Sequence, residues 1–248
     1  MITSTKNIDL LQEKIINQFL LKNNFFENFK EYEGIVKEID FNTEPTKQIN
    51  GVDFEILQGN NIINIDSKTQ TKNYINKPTS TFCLELSFIN KLGYEEDGWF
   101  IKNNLTDYYI LGWIDDSVTI MKNNNLFIPN PNDIHKIRLM IISKYKIIEK
   151  LKELNIYNQI PIAKKYLIEN NVSHLYFDYI KQIFYTKLEL KKLKEQGIYP
   201  KYVTFCYTNN NPYIPEKPIN LVLSIDFYKT ICDGYYLYTN GICTQILN

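Results

Sequence analysis

The chain has little arginine, histidine, glycine or cysteine, and each shortage removes a class of function. Arg138 is the single arginine, and His135 and His174 are the two histidines in 248 residues. Nine glycines are scattered along the chain with no Gly-rich phosphate loop among them. That excludes the common nucleotide-driven enzymes, whose backbone must approach phosphates closely. No Ser-His-Asp set has a nucleophile elbow around it. The four cysteines, Cys83, Cys206, Cys232 and Cys243, contain no Cys-x-x-Cys pair. Neither a zinc site nor a disulfide framework is expected, and the thiols read as reduced, as in a cytoplasm. No apolar run approaches the ~20 residues of a membrane span, and Met1-Ile-Thr-Ser-Thr-Lys-Asn carries no apolar signal block. The formal net charge is zero, which argues against a polybasic coat.

What remains is an ordinary globular composition, 44% hydrophobic and 23% charged, long enough for one core with an appended subdomain. The 19 Tyr and 14 Phe accompany abundant Asn, Lys and Ile, the signature of AT-rich codons, and are read as core and strand residues. Charge is unevenly placed. Asp133 to Lys201 holds 14 Lys plus Arg against 7 Asp plus Glu, a basic stretch suited either to a phosphate backbone or to solvated helix faces.

Periodicity gives the organisation. Asn7 or Asp9 can cap a helix running through Leu10, Leu11, Ile15, Ile16, Phe19 and Leu20, with Glu13 on its more polar side, expected in solvent but able to reach a site if that face turns inward. After a break at Thr43-Glu-Pro-Thr come two strands joined by Gln58-Gly-Asn-Asn. Strands are then expected at Pro78–Phe88, Gly98–Ile101, Thr106–Asp115, Ser117–Met121 and His135–Ile142; the Thr106 strand is apolar on both faces and therefore central. Helices follow at Lys144–Leu154 and from Gln159 or Pro161 to Glu169, with Pro161 in the first turn. A short strand begins at His174, a lysine-rich helix covers Tyr185–Gln196 before Gly197, and late strands start at Tyr202 and Leu221.

The chemistry concentrates in the two joined strands, Gly51-Val-Asp53-Phe-Glu-Ile-Leu and Asn61-Ile-Ile-Asn-Ile-Asp66-Ser67-Lys68-Thr-Gln70. Residues i and i+2 of a strand share a face, so Asp66 and Lys68 project together, beside Asp53 of the neighbouring strand. Two carboxylates crowded at a sheet edge repel unless a cation lies between them, and a divalent metal there suits a phosphodiesterase. Acid-any-base triplets arise by chance roughly three times in a chain this charged. Glu189-Leu-Lys191 is one such decoy, on a helix where i and i+2 diverge. The plainer alternative for the Asp66 strand is a surface hairpin with a cross-strand ion pair.

The helix, Asp53 and then Asp66-Ser67-Lys68 resemble the PD-(D/E)XK nuclease superfamily over roughly the first 120 residues, with Val52 where that pattern commonly has Pro. The resemblance implies an α/β (α+β) fold, a restriction-endonuclease-like core with a central mixed β-sheet flanked by helices. A weakly marked boundary near residue 150 gives this core residues 1–150 and leaves 151–248 as a basic carboxyl-terminal α/β extension, the alternative being a single domain. It implies a Mg²⁺-dependent deoxyribonuclease, with Mn²⁺ able to substitute, acting on DNA as a monomer or homodimer without a membrane. Asp53, Asp66 and the carbonyl of Ser67 would ligate the metal, Lys68 would orient water or stabilise phosphorus-centred charge, and Gln70 would position either. Glu85, on the expected next strand, and then Glu33 are further candidates for the metal or water shell. The rival reading keeps the scaffold without the chemistry, as an inactive DNA- or partner-binding protein.

Overall fold

The computed structural model describes residues 4–29, 34–39, 43–102, 105–122, 124–208 and 216–247. The protein is mixed α/β, with six α-helices among the described residues. It divides into two compact units: Met1–Ser80, Leu105–Lys146 and Lys229–Asn248 form the first, Thr81–Asn104 and Ile147–Tyr228 the second. The expected single cut near residue 150 is therefore replaced by interleaved segments. The cause is strand pairing: late strands return to the first sheet, and two early strands belong to the second.

The chain begins with helix α1 (Ser4–Lys22), strand β1 (Ile35–Glu38), helix α2 (Pro45–Ile49), and strands β2 (Phe54–Gln58) and β3 (Asn61–Gln70). α1 starts earlier than Asn7 or Asp9, so neither caps it. Its Ile15, Ile16, Phe19 and Leu20 are buried, while Leu10 and Leu11 stay exposed. β2 and β3 form the expected hairpin, with Gln58 opposite Asn61 and Gly59 at φ +57°, a conformation glycine adopts without a Cβ penalty. The chain then makes β4 (Thr81–Ile89) and β5 (Glu95–Asp97) in the second unit and returns as β6 (Tyr108–Ser117), β7 (Ile120–Lys122), β8 (Asn125–Phe127) and β9 (Ile134–Ser143). β6 pairs parallel with β3 and antiparallel with β9, and Tyr109 through Ile114 apart from Gly112 are wholly buried. It is the central strand that its two apolar faces predict. Ser117 closes β6, and the expected Ser117–Met121 strand shrinks to β7, paired only with β8.

Helices α3 (Lys144–Glu153) and α4 (Ile156–Glu169) follow, then β10 (His174–Asp178), β11 (Ile183–Tyr185), α5 (Lys187–Glu195), β12 (Tyr202–Tyr207), β13 (Lys217–Ser224), α6 (Ile225–Lys229), β14 (Gly234–Thr239) and β15 (Ile242–Leu247). Asn155, left-handed at φ 56°, turns the chain directly from α3 into α4. α4 thus starts at Ile156, and Pro161 lies inside it rather than in its first turn. α4 packs on β10 and β12 through Ile156, Ile160, Ala163 and Leu167, spaced for one helical face. α5 begins at Lys187 because Thr186 caps it; the Thr186 side chain and Glu189 form a capping box.

The first sheet runs β1-β2-β3-β6-β9-β14-β15 and the second β11-β10-β12-β13-β4-β5. In the first unit, α1 and the turn at Phe25–Asn28 share a core with β3, β6 and β9. Tyr236 and Tyr238 of β14 complete it, with rings edge-on to Phe25 at 5.6 Å and Phe19 at 5.7 Å. Among the described residues no helix is long and apolar enough to cross a membrane.

Candidate active site

Asp53 lies one residue before β2 and is 2% exposed. Its backbone continues the hairpin ladder, donating to the Ile65 carbonyl at 2.9 Å and accepting from the Ile39 amide at 2.8 Å. Its carboxylate is fixed on both oxygens. Oδ2 accepts from the Ser67 amide at 2.7 Å, and Oδ1 from Gln48 Nε2 of α2 at 3.0 Å. Ser67 thereby ties Asp53 to the strand that bears Asp66 and Lys68.

Asp66 is wholly buried in β3. The Lys68 ammonium stands 2.6 Å from its Oδ1, as the shared strand face requires, while Oδ2 has no hydrogen-bond partner. Burial pushes the Asp66 carboxyl up to about 7, and Asp53 adds to the rise against the opposing pull of Lys68. Burial also works against the Lys68 ammonium, but Asp66, Asp53 and Glu13 outweigh it and hold Lys68 charged well above the usual lysine range.

Glu13 of α1 turns toward this cluster instead of facing solvent. Burial, then the Asp53 carboxylate, pushes its carboxyl up to about 8, with Lys68 opposing. Lys144, the first residue of α3, is half-buried; desolvation lowers its pKa while Asp66 and Asp107 resist. The structure therefore joins Asp53, Asp66, Lys68 and Glu13 electrostatically, with Gln48 and Lys144 as supporting polar groups. Gln48 and Lys144 escape a sequence reading because neither belongs to a periodic pattern shared with the hairpin.

Glu13 and Lys68 of the cluster open on a cleft of about 360 Å³ between α1 and the end of β3, whose lining does not include Asp53 or Asp66. Glu13 and Asn17 line one side, Ser67, Lys68 and Thr69 the other, and Lys72 and Tyr74 its outer part. Two buried oxygens of these lining residues, Asn17 Oδ1 and Thr69 Oγ1, lack hydrogen-bond partners. Buried polar atoms are seldom left so, and these mark a cleft furnished for polar contacts.

Two other expected site residues have contacts of their own. Gln70 is closed on Thr79: its Nε2 donates to Thr79 Oγ1 at 2.8 Å, and its Oε1 accepts from the Thr79 amide at 3.2 Å. These two bonds join the end of β3 to the segment before β4. Glu85 is half-buried on β4, opposite Asn220 in the second sheet, so its strand does not continue the sheet of Asp66. Glu33 lies outside the described residues.

Among the described residues no three Asp, Glu, His or Cys side chains are gathered in a ready metal-binding group. The chemistry of the donor set nevertheless fits a hard divalent cation, which prefers oxygen ligands. Burial and then the nearby Asp53 raise the pKa of Asp66, Glu13 adds a third carboxyl, and the buried Oδ2 of Asp66 is unsatisfied. Compared with protein-family models, with curated proteins and with solved structures, the chain matches none.

Proposed function

We propose that the protein is a metal-dependent nuclease of the PD-(D/E)XK kind, hydrolysing DNA phosphodiester bonds. The observation that carries this reading is the 2.6 Å Lys68–Asp66 contact on one strand, set beside an Asp53 that is anchored by the amide of Ser67. Asp53, Asp66, the Ser67 carbonyl and Glu13 are the groups that would hold Mg²⁺ or Mn²⁺. A divalent ion there supplies Lewis acidity and a more acidic water.

The protein's own groups divide the remaining work. Gln48 and the Ser67 amide keep the Asp53 carboxylate in one orientation, so no reorganisation is needed when charge develops. Lys68, held protonated by three acids, presents an ammonium on the cleft wall where a phosphate would gain negative charge. Glu13 brings a third carboxyl to the same cluster, close enough for Asp53 and Lys68 to act on it.

The test is incubation of plasmid and linear DNA with Mg²⁺ or Mn²⁺, alongside calorimetric titration of Mn²⁺ into the protein. Lys68→Ala is expected to lose cleavage by about 100-fold or more while retaining most DNA affinity. Asp66→Ala is expected to lose both Mn²⁺ binding and cleavage. A Lys68→Ala protein that cuts at the parental rate, or Mn²⁺ binding indifferent to Asp66, would remove the basis of the assignment. DNA binding without any cleavage would instead favour a binding protein on this scaffold.

A further inference from the structure

The outer half of the cleft has its own cation, which the catalytic cluster does not use. Lys72 follows β3 in a tight turn closed by the Tyr74 amide on the Thr71 carbonyl and the Ile75 amide on the Lys72 carbonyl. Its backbone is left-handed, φ 56°, a conformation that costs a non-glycine residue energy and recurs at ligand sites. Its ammonium meets Asp9 Oδ2 of α1 at 3.0 Å, so the ion pair joins residues from the two sides of the cleft. Both partners are near 40–46% exposed, and an exposed pair of this kind contributes little and exchanges readily.

Three observations give the cleft an occupant. Asn17 is 4% exposed, yet its Oδ1 has no partner, so a ligand donor can complete it. Tyr74 lines the same cleft with 49% of its surface open. The volume, about 360 Å³, falls at the low end of pockets that enclose a small ligand, the scale of a single nucleotide unit. Resting on the nuclease reading, the geometry points to a subsite for one unpaired nucleic-acid strand, in which Lys72 exchanges Asp9 for the phosphate next to the one at Lys68. Tyr74 supplies the ring for a base at the rim, since every base has a face to stack, and Asn17 accepts from a base or sugar donor deeper in. Asp9 then acts as a stand-in for phosphate, keeping Lys72 aimed into the cleft until a strand arrives.

The test uses a fluorescein-labelled single-stranded 12-mer DNA and the matching duplex, with anisotropy read in Ca²⁺ over a salt series and cleavage read in Mg²⁺. Single strand is expected to bind about tenfold more tightly than duplex. Lys72→Ala should weaken it about tenfold and reduce the salt slope by about 0.7, the value of one phosphate contact on a single strand. Tyr74→Ala should cost about fivefold or more. Asp9→Asn should tighten binding roughly two- to fivefold, the range an exposed ion pair is worth. Circular dichroism melts of each variant establish that it is folded.

If wild type cuts DNA and Lys68→Ala does not, yet duplex binds as tightly as single strand and Lys72→Ala and Asp9→Asn change nothing, the subsite is wrong and the catalytic reading stands. If the strand binds as described without being cut, the subsite stands and the catalytic reading falls. If neither form of DNA binds or is cut, both fall.

Discussion

Lys68 Nζ lies 2.6 Å from Asp66 Oδ1, its neighbour two places back on the same strand, and the contact pairs a wholly buried carboxylate with an ammonium on its own strand face. Removing that ammonium is expected to have a cost that depends on pH. Lys68→Met should lose about 1–3 kcal/mol of stability at pH 8.5, the usual penalty for an unsatisfied buried polar group, and less at pH 6, where Asp66 takes up a proton. Urea denaturation at the two pH values reads the difference. Adding Asp66→Asn should recover part of the loss, and equal losses at both pH values would contradict the pairing.

The raised carboxyls of Asp66 and Glu13 fix the sign of a wider pH dependence. Both are raised above their ordinary values, to about 7 and about 8, so the folded state binds protons that the unfolded state has released. Their stabilisation is complete below the ordinary carboxyl range and is lost as pH rises through the folded values. The metal-free protein should therefore melt at lower temperature at pH 8.5 than at pH 6. Glu13→Gln should flatten that slope, and Mg²⁺ should oppose it at the alkaline end if the carboxylates bind the ion. A melting temperature that climbs with pH over this range in the absence of metal would contradict the cluster.

Gly112 of β6 leaves the room that Thr69 occupies. A Cβ built there would stand 2.4 Å from Thr69 Oγ1 and 3.0 Å from its Cγ2. Gly112→Ala should destabilise by about 1–3 kcal/mol, the range for overpacking, and should displace Thr69 in the cleft wall. Thr69→Ala in the same protein should restore part of the stability, as chemical denaturation would measure.

Glu189, the acid of the chance motif match, has a structural duty after all. Its Oε2 accepts from the Thr186 amide at 2.7 Å and from the Thr186 hydroxyl at 2.8 Å. Glu189→Ala should cost about 1 kcal/mol, as the loss of a helix cap does, without changing any cleavage activity. Thermal melts and nicking assays on the same preparation separate the two effects.

The elements with strong period or turn chemistry were legible in the sequence: the β2–β3 hairpin, the two-sided β6, β9, α3 and β12. Asp66 and Lys68 could be placed on one face because strand parity is local. What could not be read was which sheet each strand joins. Phe82, Leu84 and Leu86 announce an inward face but not whose core it enters, so Glu85 was assigned to the wrong sheet. Glu13 failed for a related reason: a polar helix face turns inward only when buried charge awaits it, and that charge comes from strands about forty to fifty residues away. The last hairpin did carry a signal that went unread. Asn240-Gly241, at φ 49° and 83° between alternating residues of β14 and β15, is the strongest short-range hairpin pattern.

The interleaving of the two units has a practical corollary for expression. A fragment ending at residue 150 would keep Asp53, Asp66 and Lys68 but leave the long edge of β9 open where Gly234–Thr239 would otherwise pair. It would also lack Tyr236 and Tyr238 from its core. An uncovered strand edge is a template for other chains, so such a fragment should precipitate, whatever the chemistry of the site it carries.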